Sequence, residues 1–292
     1  MTTTTVYEIP RRELEPLYEK VRGSLARHMH FVYGLPPARH HLKWIEALEN
    51  SSIDELLIVA PPRHAKSTII CGYLSQEIGR NPSVHIGYIS NTAGQADRRS
   101  VAVRETIEFN KRYNNLYGIE PEQGRWTKNE WCVKRQYKGD PNPTFISCGM
   151  WGPILGSEFD ILVFDDVIDE EIARSRTQME KALEWIRRTA LTRKAPGCRV
   201  VHICTRWAEK DFAAYCMEKG WRTIVTPAIG YWEPDTALWP EVWPLEMLLD
   251  IKDDIGAEAF ELIYQGKVLQ RDGGIFRREY FLPARLIIKR AN

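Results

Sequence analysis

An α/β fold with a mostly parallel central sheet flanked by helices is what this sequence predicts, and three observations predict it. Short, nearly continuous apolar runs recur at 53–60, 84–90, 144–148, 160–164, 199–205 and 223–225. Longer amphipathic stretches at 66–80, 93–112, 175–193 and 209–219 lie between them. Several of the apolar runs end in a cluster of polar residues. Strands that are apolar on both faces need cover on both faces, and a parallel sheet between helix layers supplies it.

Around this core the texture changes twice. Residues 1–50 read as helical, with Leu14, Leu17 and Val21 at helical spacing, a basic and His-rich stretch near 27–41, and a break at Pro36 and Pro37. Beyond about 228 the chain becomes irregular and rich in Trp and Pro, with short helical stretches near 244–252 and 256–264. The expected organisation is therefore a small helical N-terminal segment (1–50), a core (51–228) and a C-terminal lid or linker (229–292).

The composition sets limits on function. Hydrophobic residues make up 43% and charged residues 27%, a soluble globular mix, and 292 residues give ample core. The net charge of +1 provides no molecule-wide positive field, so any nucleic-acid surface must be a local patch. None of the six cysteines forms a C-x-x-C pair, which argues against zinc and against a disulfide framework. The N-terminus lacks a basic-then-apolar signal pattern, and no apolar run approaches the ~20 residues of a membrane helix.

The first chemical motif follows the first strand. LLIVAPPRHAKST runs from an apolar strand through a turn into a helix opened by Lys66, Ser67 and Thr68. Its spacing matches G-x-x-x-x-G-K-[ST], with Ala60 and Ala65 where glycines usually stand. A loop curling into a helix N-terminus aims several backbone N–H groups at one point, where the helix dipole adds positive potential. Pro62, Arg63, His64, Ala65, Lys66, Ser67 and Thr68 are thus expected to cradle phosphates. Lys66 would reach the β- and γ-phosphates, and Ser67 would present its hydroxyl to Mg²⁺. Alanine at a position needing positive φ costs on the order of 1 kcal/mol, and an ordinary strand-to-helix turn with a surface lysine is the competing reading.

The second motif is FDILVFDDVIDEE at 159–171, a buried strand ending in Asp165 and Asp166. One acid there can hold Mg²⁺ and the other can orient and deprotonate an attacking water. Asp165 is assigned to the metal and Asp166 to the water, with Glu170 or Glu171 as a substitute base. A solvated acidic turn is the plain alternative. The third motif is RVVHICTRWAEKDF at 199–212, an apolar strand tipped by Thr205, Arg206 and Trp207. Thr205 suits a γ-phosphate sensor and Arg206 its charge partner. Together the three motifs lead us to expect a P-loop NTPase fold of the ASCE/RecA-like kind, with ATP and Mg²⁺ as its ligands.

PPRHAKST, ILVFDD and ICTRW-x-E-x-D-F, in this order and at this spacing, resemble the large terminase subunits of tailed bacteriophages. YISNT-x-x-Q-A-x-x-R at 88–99, LWPE at 238–241, ELIYQG at 261–266 and GGIF at 273–276 agree with that resemblance. It implies an ATPase motor that drives double-stranded DNA into a procapsid in the host cytoplasm. It further implies self-association into a ring on a portal protein and a small terminase subunit as partner. The family's second domain is an RNase H-like nuclease; too few residues follow 281 to build one, so no DNA cleavage is expected. Relatives often carry an arginine near the position of Ser157, and this chain does not. Arg98, Arg99 and Arg104 are the candidates for an arginine finger, and Arg63 could touch phosphate or a neighbour. His41 lies where relatives place an adenine-contacting residue. The clusters Arg11-Arg12, Arg187-Arg188, Arg193-Lys194 and Arg277-Arg278 are possible DNA contacts, although charge runs are usually solvated faces. Two other functions fit the residues: a helicase-like translocase of the same fold, and a non-hydrolysing module that docks nucleotide or portal.

Overall fold

The computed structural model describes residues 11–135 and 139–268. Its centre is one eight-stranded sheet of order β3-β4-β5-β2-β6-β7-β1-β8. The strands are β1 (Glu55–Val59), β2 (Ile86–Ser90), β3 (Pro121–Trp126), β4 (Glu130–Val133), β5 (Phe145–Gly149), β6 (Phe159–Asp165), β7 (Lys194–Cys204) and β8 (Arg222–Val225). From β5 through β2, β6, β7 and β1 to β8 every neighbour is parallel. This is the parallel sheet that the apolar runs predict, and each run supplies one of its strands. The β3–β4 hairpin joins antiparallel at one edge and was not anticipated. Its PEQGRW strand is half exposed and has no apolar run to betray it.

Helices cover both faces. On one side lie α1 (Arg11–Arg22), α2 (Leu25–Tyr33), α3 (Arg39–Glu49), α4 (Lys66–Arg80), α5 (Ala93–Phe109) and α6 (Lys111–Tyr117), packed into one apolar core with the sheet. On the other lie α8 (Arg176–Trp185) and α9 (Phe212–Glu218), with the short α7 (Glu170–Arg174) before them. A third small cluster of Ala228, Ala237, Leu248 and Phe260 gathers the C-terminal segment with α10 (Leu245–Ile255) and α11 (Ala257–Ile263). The predicted helix at 93–112 divides at Asn110, whose side chain caps α6 by accepting from the Tyr113 N–H at 3.0 Å. The predicted helix at 175–193 leaves α geometry at Ile186 for a π turn. The last helix before β8 starts at Phe212 because Asp211 caps it.

The N-terminal helices are built into the core. Trp44 donates to Thr226 Oγ1 at 3.1 Å, and Gln76 on α4 donates to the Arg22 carbonyl at 3.1 Å. Tyr117 lies directly over Gly79, where a Cβ would come within 2.5 Å of the ring. Only glycine at that place lets α6 approach α4 so closely. No helix among the described residues is long and apolar enough to cross a membrane. GGIF and Arg277-Arg278 lie outside the described residues, as do the side chains of Arg11 and Arg12.

Buried imidazoles make this core sensitive to acid. His28 bonds Ser75 Oγ and the Tyr117 hydroxyl, each at 3.0 Å, and burial with the nearby Arg80 charge pushes its pKa down to about 3. Burial likewise lowers His202 to about 4. Both stay neutral when folded, whereas in the unfolded chain they take up protons below about pH 6.5. Their contribution is therefore complete above that pH and shrinks as pH falls, by roughly 1.4 kcal/mol per pH unit for each group. Thermal unfolding should accordingly come at a lower temperature at pH 5 than at pH 7; an unchanged midpoint would contradict the burial of neutral imidazoles.

Candidate nucleotide site

The C-terminal ends of β1, β6 and β7 open on one side of the sheet, and the first turn of α4 rises beside them. Together they enclose a cavity of about 570 Å³. Pro62, Arg63, Ala65, Lys66, Ser67 and Thr68 form one wall, and Asp166 and Thr205 form the floor. The glycine-free loop adopts its turn nonetheless. Ala65 has φ 61° and Arg63 φ 58°, while Ala60 stays out of the left-handed region. One of the two alanines thus bears the backbone cost, on the order of 1 kcal/mol, and the other bears none.

A histidine and tryptophan cluster braces the loop from behind. His64 Nδ1 donates to the Pro62 carbonyl at 2.8 Å. His41 Nδ1 accepts from the Ala38 N–H, so its proton sits on Nε2, which donates to the His64 carbonyl at 3.0 Å. Trp243 stacks on His64 with a centroid distance of 5.7 Å. The resemblance implies an adenine contact near His41; here His41 is buried with both ring nitrogens engaged by the protein, and it does not line the cavity. It occupies the third position of α3, where a side chain reaches back to cap the helix start.

Lys66 is buried, and its three acceptors are all neutral oxygens. Its Nζ donates to the carbonyls of Ala60 (2.8 Å) and Pro61 (3.1 Å) and to Thr205 Oγ1 (3.1 Å). A buried ammonium satisfied only by neutral dipoles is costly, and an anion in the cavity would relieve that cost. The Thr205 N–H donates to Asp166 Oδ1 at 2.7 Å, so Lys66, Thr205 and Asp166 form one chain of contacts across the floor. Asp166 holds φ 46°, a left-handed turn that aspartate adopts more readily than most residues and that aims its carboxylate into the cavity.

Asp165, the last residue of β6, is buried. Its Oδ2 accepts from the Tyr88 hydroxyl at 2.6 Å and faces Arg99 Nε at 3.7 Å. Its Oδ1 is buried without any hydrogen-bond partner. Burial, and then the charge of Asp166, push its pKa up; the facing Tyr88, Ser67 and Arg99 groups draw it back. An orphaned carboxylate oxygen beside a serine hydroxyl is an all-oxygen donor set of the kind hard divalent cations take. The residues present therefore fit both a phosphate chain and Mg²⁺.

Other candidates fall elsewhere. The Arg206 guanidinium pairs with Asp211 at 2.8 Å and donates to the Ala208 and Glu209 carbonyls. It pins the turn between β7 and α9 instead of facing the cavity with Thr205. The next residue, Trp207, lines the cavity. Of the arginines on α5, Arg99 lines the cavity, Arg98 is exposed, and Arg104 lies farther along the helix. Arg99 faces Asp165 of its own chain. Glu170 is exposed on α7 and pairs with Arg174 at 2.6 Å. Sequence reasoning missed Tyr88, Asn91, Gln95, Asp169 and Trp239. All but Tyr88 line the cavity, and Asn91, just past the end of β2, could have been found by asking what every strand presents at its C-terminal end.

No family model matches the chain. Over 197 residues it is 25% identical to the large terminase subunit of Enterobacteria phage T3, a stretch covering 66% of this chain and 33% of that protein. The chain therefore corresponds to about a third of that relative's length. Its fold matches the large terminase ATPase domain of Thermus phage P74-26, in a variant form, with TM-score 0.54 and 16% identity over 82% of this chain and 97% of that one. The HK97 bacteriophage large terminase matches with TM-score 0.51 and 10% identity, covering 86% of this chain and 55% of that one. In sequence the chain is similar to a phage large terminase subunit, and in fold it is similar to terminase ATPase domains.

Proposed function

We propose that this chain is the Mg²⁺-dependent, ATP-hydrolysing motor domain of a phage terminase large subunit, and that its turnover drives double-stranded DNA into the procapsid in the host cytoplasm. The observation that carries the reading is the buried Lys66 ammonium, held only by neutral oxygens and linked through Thr205 to the carboxylate of Asp166. In this reading residues 1–50 are a helical brace, 51–228 the ATPase core and 229–292 a lid or linker. A module that docks only to a portal would have no use for this costly buried charge, and one that binds nucleotide without hydrolysing it would have no use for a carboxylate held at Asp166 beside it.

Lys66 exchanges its loop carbonyls for the β- and γ-phosphates of ATP, assisted by the N–H groups at the start of α4 and by Arg63 at the rim. Ser67 and Asp165 would hold Mg²⁺, whose positive charge would offset the negative charge developing on the phosphates. Asp166, fixed by the Thr205 N–H, orients the attacking water and accepts its proton. Thr205 touches both Lys66 and Asp166, so it registers whether Lys66 is engaged with phosphate. Its link to the β7–α9 turn, which Arg206 stiffens, gives that signal a route out of the site. A portal protein, a small terminase subunit and further copies of this chain in a ring complete the machine.

Steady-state ATP turnover should rise when duplex DNA is added and should not be accompanied by strand separation. Strand separation by the protein would identify a helicase-like translocase, and indifference to DNA would remove the packaging reading.

A further inference from the structure

One buried group beside the site has no part in the mechanism above. Tyr88 is fully buried in β2, between β5 and β6. Its backbone is level with Val163, two residues short of Asp165 along β6. That offset is about 6.6 Å along a strand, and a phenol is long enough to span it. The hydroxyl arrives at Asp165 Oδ2 at 2.6 Å. A carboxylate can only accept, so the phenol O–H is the donor in this contact.

The ring that carries this hydroxyl is fixed in turn. Tyr88 stacks on Phe145 (centroids 6.0 Å, planes 20° apart), and Phe145 stacks on Trp131 (5.0 Å, 8°). Trp131 is anchored by its indole N–H to Ser100 Oγ at 2.8 Å. The ladder reaches from the carboxylate to the β3–β4 hairpin, which contributes nothing to the cavity wall. Both groups that approach Asp165 Oδ2, the phenol and the Arg99 guanidinium, leave Oδ1 free. A carboxylate locked through one oxygen presents the other in one orientation. Such outer partners set the geometry of metal-binding carboxylates and change metal affinity when removed.

We infer that Tyr88 is a positioning residue for the cation-binding carboxylate: its hydroxyl, aimed by the Phe145–Trp131 stack, locks Asp165 so that Oδ1 faces the Mg²⁺ that accompanies nucleotide. This rests on the Mg²⁺–nucleotide reading of the site. The edge hairpin thereby acquires a role in the nucleotide site that it does not touch.

Mn²⁺ binding to the ADP-loaded protein, followed by electron paramagnetic resonance, tests this without turnover. Tyr88→Phe keeps the stack and removes the hydroxyl; Mn²⁺ affinity should fall on the order of tenfold, while ADP affinity measured in EDTA stays within about twofold of wild type, the scatter expected where no contact to the nucleotide is lost. Tyr113→Phe is the control, since it also removes a buried hydroxyl, one that donates to the Ser75 carbonyl at 2.8 Å. It should leave Mn²⁺ affinity unchanged. Phe145→Leu keeps the hydroxyl but removes the ring that aims it, and should give a smaller loss; it serves as the deciding variant should Tyr88→Phe not fold. Wild-type Mn²⁺ affinity in the folded Tyr88 or Phe145 variant, or an equal loss in Tyr113→Phe, would overturn the inference. A wild-type protein that binds ADP but no Mn²⁺ would overturn the metal reading itself, and one that binds neither would overturn the nucleotide reading; the inference falls with either.

Discussion

Lys66→Ala should reduce ATP turnover by at least about 10²–10³-fold, the scale set by deleting one preorganised group that meets developing charge. Its Nζ is buried within a hydrogen bond of the loop carbonyls and Thr205, so in the proposed site it would meet the phosphates from inside the protein, where the low dielectric would strengthen the interaction. The same burial yields a second outcome that separates function from structure. The folded protein bears an ammonium matched only to neutral oxygens, so deleting the charge should not cost the stability that losing a structural ion pair would. Thermal unfolding of Lys66→Met, which keeps the side-chain bulk, should match or exceed wild type. A Lys66→Ala protein that turns over at the wild-type rate would remove the site assignment. A sharp stability loss in Lys66→Met would recast Lys66 as structural.

Asp166→Asn should bind nucleotide and fail to hydrolyse it. Asparagine has the same shape, and its carbonyl can still accept from the Thr205 N–H that now meets Asp166 Oδ1 at 2.7 Å. What it cannot do is take a proton from water, and loss of a positioned base costs about 10²–10⁴-fold. The neighbouring Asp165 should not suffer, because the charge of Asp166 is one of the causes that raise its pKa. Asp165 and Ser67 are unchanged in this variant, so cation binding should be retained. Single-turnover hydrolysis beside ADP calorimetry separates the two effects. Normal hydrolysis in Asp166→Asn would move the base to Glu170 or Glu171 on α7.

Much of this was legible before any coordinates. The central parallel strands could be read because β1, β2 and β6 are buried on both faces and so must be apolar nearly throughout, whereas the edge strand β8 is half exposed and shows only as the short run at 223–225. The β3–β4 hairpin was silent because its strands are short and β3 is half exposed. That Lys66, Ser67 and Asp166 would meet at one cavity, with Asp165 buried at the strand end, was legible because loop spacing and strand ends determine where such positions fall. The partners of Arg206 and His41 were not legible for a common reason: a sequence locates a backbone position but not a side chain's partner. Asp211 draws Arg206 away from Thr205, and the start of α3 draws His41 beneath the loop. Tyr88 was hidden because a tyrosine inside an apolar strand reads as core, and only the register between β2 and β6 brings its hydroxyl to Asp165. The positive φ at Ala65 was likewise undecidable from sequence, since alanine tolerates both signs of φ at different cost.

The central claim is that Lys66, Ser67, Asp165 and Asp166 form a working Mg²⁺–ATP site. Phosphate release from ATP by the wild-type protein and by Lys66→Ala, in Mg²⁺ and in EDTA, with and without duplex DNA, tests it most directly. Turnover should require Mg²⁺, rise with DNA and vanish in the variant. Turnover that is indifferent to Mg²⁺ or to Lys66→Ala, or a wild-type protein that neither hydrolyses nor binds ATP, would contradict it.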